Sequence, residues 1–362
     1  MTDRHAVRVR ALAVPFSRPR ESPNYRFTHL FTILCEISDP RGGRGISGLW
    51  FPRREQAAVV LEALRYLAPV ASLHADPQDV VRALRREISF LGYKGVSVMA
   101  MSALEMALYD LRLRTGETTL PPHRRDRVRA YWSGFFLSDT VDTWRDDAAR
   151  AVELGFRAFK ARVGRPDLDE DDARVEALRA ALPVDAALML DANQAWDIDR
   201  AVAAARRLER HQLTWLEDPL VHCDYAGLAH MVRESPIPIA TGENEYLPEG
   251  FLQLLDAGVH FLLADLERAG GVSGWDAISR MAADRGAVLT PHLYPHVAVQ
   301  LCSRLEQEEQ WLEYVDWWDP LMARPLTFAD GHAVVDDVPG TGFDPDPEAV
   351  ERYASSRWEE LG

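Results

Sequence analysis

Cysteine is scarce in this chain of 362 residues, and long apolar runs and an excess of positive charge are missing. The three cysteines, Cys35, Cys223 and Cys302, are scattered and show no metal-type spacing. That excludes a disulfide framework and points to reduced thiols in a cytoplasmic protein. No apolar stretch approaches the roughly 20 residues that a membrane-crossing helix needs. Met1-Thr2-Asp3-Arg4-His5 also lacks the apolar segment of a secretion signal. Lysine and arginine number 41 against 56 acids, a formal net charge of −15. Such a surface repels phosphate backbones and anionic lipid, so neither nucleic acid nor membrane is expected as a partner. An anionic small molecule would need a local positive site. The glycine cluster Gly270-Gly271-Val272-Ser273-Gly274 lacks the spacing of a phosphate-binding loop.

A hydrophobic content of 47% suits a sizeable core, and the length suits two domains. From about Val7 to Ser47 the pattern predicts strands, with a polar, proline-bearing loop over Ser17–His29 and a turn at Asp39-Pro40-Arg41-Gly42-Gly43. Helical periodicity follows over Glu55–Leu67, Pro77–Phe90 and Val98–Arg114. This block, residues 1–127, is expected to be an α+β domain ending in a proline-rich, charged linker. From Val128 strands and helices alternate. Val128–Ser133 and Phe156–Val163 are the first two strands, and six more end near Asp191, Glu217, Thr241, Asp265, His292 and Glu313. Eight such units over 128–325 predict an α/β fold, a β/α barrel, with the tail 326–362 packing back on the first domain.

Asp191, Glu217 and Glu243 recur at equal steps of 26 residues, each after an apolar run. Strand ends of a β/α barrel share one face, so three carboxylates there form a cup of hard oxygen ligands suited to Mg²⁺. Asp218 and Glu245 are expected to support them. Alternation turns Lys160 and Arg162 to the same side, into the barrel mouth, as the positive site an anionic substrate needs. Asp265 and His292 close the sixth and seventh strands, where a buried aspartate orients a histidine as an acid/base pair. Glu313, between apolar neighbours, is expected to stay protonated and donate a hydrogen bond. Tyr294 and His296 are expected to shape the pocket.

The set Asp191, Glu217, Glu243, Asp265, His292 and Glu313, with Asn193 in Asp191-Ala192-Asn193, resembles the enolase superfamily in its mandelate racemase subgroup. The resemblance spans nearly the whole chain. It implies a modified TIM barrel with an α+β capping domain, one Mg²⁺ per subunit (Mn²⁺ able to substitute), and a symmetric homo-oligomer. It implies abstraction of the proton α to a carboxylate through an enediolate. The subgroup usually carries Lys-x-Lys on the second strand, and here it is Lys160-Ala161-Arg162. Arginine is rarely deprotonated, which disfavours two-base chemistry and favours His292 as the sole base. The leading expectation is therefore dehydration of a sugar acid to a 2-keto-3-deoxy acid. Racemisation or epimerisation of an α-hydroxy acid is the alternative enzyme, and a non-catalytic sugar-acid binding protein the alternative of another class. In the family, substrate choice lies with the capping loops, here 17–29 and 46–53, so Tyr25, Arg26, His29 and Trp50 are expected to face the substrate.

Overall fold

The computed structural model describes residues 5–73, 76–307 and 309–361. A capping unit comes first. Strands β1 (Ala6–Glu21), β2 (Arg26–Ser38) and β3 (Arg44–Phe51) form an antiparallel sheet in that order. Helices α1 (Arg54–Ala71), α2 (Pro77–Glu87) and α3 (Val96–Arg114) follow. α3 is buried on most of its surface because it lies between this sheet and barrel helices.

The hairpin corrects the loop expected over Ser17–His29. β1 and β2 pair from Ala6–Ser38 out to Glu21–Arg26, and only residues 22–25 make the turn. The register breaks between Pro15 and Arg20, so Pro19 falls where no ladder hydrogen bond is required. The polar side chains that suggested a solvated loop are held by barrel acids instead. Arg18 Nε donates to Asp139 at 3.0 Å and Arg20 Nη2 to Asp316 at 2.7 Å.

The barrel is built from eight parallel strands: β4 (Arg127–Ser133), β5 (Ala158–Arg162), β6 (Ala187–Asp191), β7 (Trp215–Glu217), β8 (Ile239–Thr241), β9 (Phe261–Asp265), β10 (Val288–His292) and β11 (Leu312–Tyr314). They pair in sequence from β4 to β10, and β11 pairs with β4 on its other side. Among the described residues no ladder joins β10 to β11. The Glu313 carboxylate spans that seam by accepting the Leu293 backbone N–H at 2.9 Å. Tyr131, Ala158, Met189, Trp215, Ala240 and Leu263 pack together as the apolar floor of the barrel. Two residues on, alternation turns Lys160, Asp191, Glu217 and Asp265 to the same side. The apolar layer therefore sets the depth of the polar one. The helices are α4 (Val141–Glu153), α5 (Leu168–Ala181), α6 (Ile198–Leu208), α7 (Tyr225–Glu234), α8 (Leu247–Asp256), the single turn α9 (Leu266–Ala269), α10 (Gly271–Asp284) and α11 (Pro295–Cys302). Among the described residues, no helix is long and apolar enough to cross a membrane.

The tail divides, which corrects the expectation that all of it returns to the cap. Strands β12 (Phe328–Ala329) and β13 (His332–Val334) form a hairpin that joins the barrel antiparallel to β4. β4 offers that edge because β5 pairs with only the end of it, at Trp132 and Ser133. Helix α12 (Pro347–Tyr353) and strand β14 (Glu359–Glu360) go to the cap, where β14 extends the sheet beside β1. Asp110 in α3 ties tail to cap. Its buried carboxylate accepts from Ile46 N at 3.0 Å, Thr341 N at 2.7 Å, Thr341 Oγ1 at 3.0 Å and Arg114 Nε at 2.7 Å. Asp110→Ala strands these donors without water. It is expected to destabilise the protein by about 3 kcal/mol and to open the tail near Thr341 to protease before the barrel melts. A melting temperature within a degree of the parent would show that the network is not a tie.

Candidate active site

Asp191 and Glu217 end adjacent barrel strands, and Glu243 follows β8 by two residues. One carboxylate oxygen from each lies within 4.8 Å of the others. Asp191 Oδ1 accepts the Asn193 N–H at 2.8 Å, while Asp191 Oδ2 is buried without a hydrogen-bond partner. Asp218 adds a fourth carboxylate, buried, with neither oxygen in a close hydrogen bond among the described residues. Burial, joined by Glu243 and Asp191, pushes the Asp218 carboxyl well above its usual range. Orphaned, crowded oxygens of this kind fit a hard divalent cation of the Mg²⁺ type. The backbone here is unusual as well: Asn193, Gln194 and Asp218 have φ values of 42°, 63° and 41°, and such strain concentrates at functional sites.

The two cations of β5 occupy different levels. Lys160 is fully buried, its Nζ 2.5 Å from Glu217 Oε1, 2.9 Å from Glu313 Oε1 and 3.7 Å from Asp191 Oδ2. It does not line the cavity above, which corrects its expected place in the mouth. Burial alone would discharge Lys160, but Glu217 and Glu313 hold it charged. Arg162 does line the cavity, with Nε 3.3 Å from Asp191 Oδ2. Burial opposes its charge as well, and Asp191 and Glu313 outweigh it, so its pKa is raised. Glu313 departs from expectation too. Burial would raise its carboxyl, yet Lys160, His292 and Arg162 pull it down to about 2. It is an ionised acceptor, not a donor.

β9 and β10 place Asp265 beside His292, with Oδ2 accepting from Nδ1 at 2.8 Å. On the other side of the ring, Nε2 lies 3.0 Å from Glu243 Oε2. Burial disfavours the charged ring, but Glu243 and Asp265 raise its pKa well above the ordinary value. Glu243 belongs both to the carboxylate cup and to the histidine, so the charge on the ring depends on what Glu243 holds. Two partners of Asp265 escaped the sequence reading. Arg268 Nη1 donates to Oδ2 at 2.9 Å, and its Nη2 lies 3.4 Å from Glu267 Oε1. Trp50 Nε1 donates to Oδ2 at 3.4 Å, and Trp50 N to Glu267 at 3.2 Å. The i,i+3 spacing of Asp265 and Arg268 was the available signal, since one helical turn brings such side chains together.

A cavity of about 590 Å³ opens between cap and barrel, within the usual range for small-molecule sites. Arg162, Asn193, Glu243, Arg268 and His292 line it from the barrel, and Tyr25 and Trp50 from the cap. Arg26 and His29 do not line it. Arg26 is exposed, and His29 bonds Thr28 Oγ1 at 3.0 Å and stacks on Phe31. Both were assigned to a loop over the substrate, but they lie on β2, whose direction turns them elsewhere. Asn24 takes that role at the hairpin tip, where Nδ2 donates to Asn193 O at 2.5 Å. Glu245, expected to support the carboxylate cup, instead pairs with Lys94 at 2.8 Å and accepts from Tyr225 Oη at 2.6 Å.

Tyr294 and His296 do not shape this cavity either. The Tyr294 hydroxyl donates to Glu267 at 2.7 Å. His296 lines a separate space against the tail, its Nε2 buried without a partner. Burial lowers the His296 pKa to about 4, so folding holds the ring neutral. The unfolded chain then binds a proton that the native state refuses as pH falls below the unfolded value near 6.5. The His296 contribution is expected to be complete above that value and to be lost on acidification toward 4. Denaturant titrations from pH 7 to 4 should show a shallower acid loss for His296→Phe than for the parent. Parallel curves would refute the assignment.

The sequence pattern described as "Enolase C-terminal domain-like" matches residues 143–349. The L-talarate/galactarate dehydratase of Salmonella typhimurium is 31% identical over 324 residues, covering 87% of this chain and 81% of that protein. An L-talarate dehydratase from Polaromonas sp. JS666, solved in complex with Mg and L-glucarate, superposes with a TM-score of 0.90 at 28% identity, covering 100% of both chains. A mandelate racemase/muconate lactonizing enzyme from the same organism gives 0.89 at 29% identity, covering 100% of this chain and 99% of that one. The capped barrel, its strand-end acids and these likenesses together place the chain in the enolase superfamily, among its mandelate racemase-like members.

Proposed function

We propose that the protein is a Mg²⁺-dependent hydro-lyase that removes the proton α to the carboxylate of a sugar acid and expels the β-hydroxyl, giving a 2-keto-3-deoxy acid. The observation that carries this reading is an Asp265–His292 pair at hydrogen-bond distance, with the free histidine nitrogen directed at a three-carboxylate cup on the rim of the same cavity. The dehydratase name of the Salmonella relative and the Mg and L-glucarate in the Polaromonas structure support it. Asp191, Glu217 and Glu243 would hold the ion, with Asn193 beside them. Once bound, Mg²⁺, or Mn²⁺ in its place, supplies positive charge for the second negative charge that develops on the substrate carboxyl.

The remaining work falls to this chain's own side chains. Asp265 fixes the His292 Nδ1–H, so Nε2 is the atom that takes the α-proton. The same nitrogen then protonates the leaving hydroxyl, so both events occur on one face of the substrate and the loss is syn. Arg162 stays charged and faces the cavity, where it neutralises the substrate carboxylate without exchanging its own proton. Lys160 and Glu313 act from beneath, fixing Glu217 and the seam beside His292. Trp50 has its ring centre 6.2 Å from that of His292 and keeps water from the base. The three free cysteines suit the cytoplasm, and the exposed pair Phe90-Leu91 suits burial between copies in a homo-oligomer.

Chelation is expected to abolish turnover, with recovery on adding Mg²⁺ or Mn²⁺. Saturating Mg²⁺ should also raise the melting temperature, since an ion at a hundred times its Kd stabilises the native state by about 2.7 kcal/mol. Full activity in EDTA would rule out the metal assignment. His292→Asn should remove α-proton exchange and dehydration together, by about 10²–10⁴-fold, and Asp265→Asn should reduce both less. Arg162→Met should raise KM and slow turnover without changing which hydrogen exchanges. If deuterium still enters the α-carbon in His292→Asn and only Arg162→Met stops it, the base is Arg162 and the elimination anti.

A further inference from the structure

We infer that the substrate is a monocarboxylic sugar acid with an uncharged, partly apolar far end, such as a 6-deoxy acid, and not a diacid. This rests on the dehydratase reading above and narrows it. The cavity has two unlike sides. Its charged groups, Arg162, Glu243 and Arg268, and its histidines, His222 and His292, all come from the barrel. Among the described residues, every cap side chain that lines it, from Ser22 to Met99, is uncharged.

Both barrel guanidinium groups are already matched. Arg162 lies 3.3 Å from Asp191, and Arg268 bonds Asp265 at 2.9 Å with Glu267 at 3.4 Å. One substrate carboxylate can share Arg162 and the cup at the reacting end. A second carboxylate would have to lie against the cap. The cations nearest by chain are engaged or lie outside the lining: Lys94 is paired with Glu245 at 2.8 Å, Arg54 lies over the Phe31 ring, and Arg26 and Arg53 are exposed. A carboxylate brought there gives up part of its water and meets no cation in the cap lining.

What the cap offers instead is apolar. α1 contributes Val59 and Val60, α3 contributes Val96 and Met99, and Phe51 and Pro52 join them. Val59 is 55% exposed and Val96 41%. Both stand at the mouth, where a methyl or other apolar end of a ligand would cover them and gain the usual burial free energy. Neutral hydrogen-bonding groups, including Asn24, Tyr25, Gln56 and Gln194, suit the hydroxyls between the two ends.

The test uses the full-length His292→Asn protein with Mg²⁺, which binds without turning over. Calorimetry would compare an aldonate, its 6-deoxy analogue and the aldarate of the same configuration, across the hexose stereoisomers. For the best-fitting configuration, the 6-deoxy acid should bind at least as tightly as the aldonate and at least about tenfold more tightly than the aldarate. Val96→Arg, at an exposed position that tolerates the change, should move that ratio toward the aldarate by about tenfold or more. Aldarate binding that equals or exceeds the others overturns the inference, as does a lack of binding by all three. Wild-type α-proton exchange in D₂O separates the two claims. Exchange with aldarates alone leaves the dehydratase reading standing and removes this one, whereas no exchange with any acid removes both.

Discussion

Crowding of negative charge at one end of the barrel is the constraint around which this molecule is arranged. Asp191, Glu217, Asp218, Glu243 and Glu313 converge there, and water reaches little of them. Like charges in a poorly solvated space push each other toward protonation, and burial drives Glu217 and Asp218 strongly that way. Each positive group nearby answers part of this. Lys160 sits under Glu217 and Glu313, Arg162 beside Asp191, and His292 against Glu243. The partners overlap only at Asp191 Oδ2, which both Lys160 and Arg162 approach. Among the described residues, Asp191 Oδ2 and the oxygens of Asp218 make no close hydrogen bond, and this remainder is what favours a divalent cation over one more side chain.

Hydrogen bonds to buried carboxylates join the cap to the barrel alongside the apolar packing of α3. Glu105 in α3 accepts from Val272 N at 2.9 Å and Ser273 N at 3.0 Å, at the start of α10. Burial pushes its carboxyl up to about 7, against those donors. Gly271 permits the approach: its φ is 73°, and a β-carbon there would stand 1.9 Å from Glu105 Oε2. The glycine cluster that carries no phosphate-binding spacing does cradle an anion, supplied by the chain itself. From the same side Trp50 bonds Glu267 and Asp265, so the cap is tied directly to the partner of His292.

Much of this was legible in the sequence, because barrel strands announce themselves twice. An apolar run marks the strand, and the polar residue that closes it marks the catalytic face. That is why Asp191, Glu217, Asp265 and His292 fall at the ends of β6, β7, β9 and β10. The failures have a common cause. Polarity was taken as solvent exposure at Arg18 and Arg20, where it means pairing with Asp139 and Asp316. An apolar neighbourhood was taken to keep Glu313 protonated, when Lys160 ionises it from a strand 153 residues away in the chain. Arg268 was overlooked because α9 is a single turn, too short to show any periodicity. Local pattern locates a charge along its own strand or helix, but its partner comes from elsewhere in the chain.

Lys160 and Arg162 show how far local pattern reaches and where it stops. Alternation on β5 correctly turns both inward. Two residues of strand rise, roughly 6.5 Å, separate them in depth. The deeper cation becomes a counter-ion sealed beneath Glu217 and Glu313, and the shallower one reaches both Asp191 and the cavity. A lysine at the upper position would be a compact ammonium whose pKa burial can lower toward that of a base. An arginine there keeps its charge and spreads it over a planar group. Residue 162 is therefore the β5 side chain that both lines the cavity and touches the cup, and an arginine there keeps its proton where a lysine could release one.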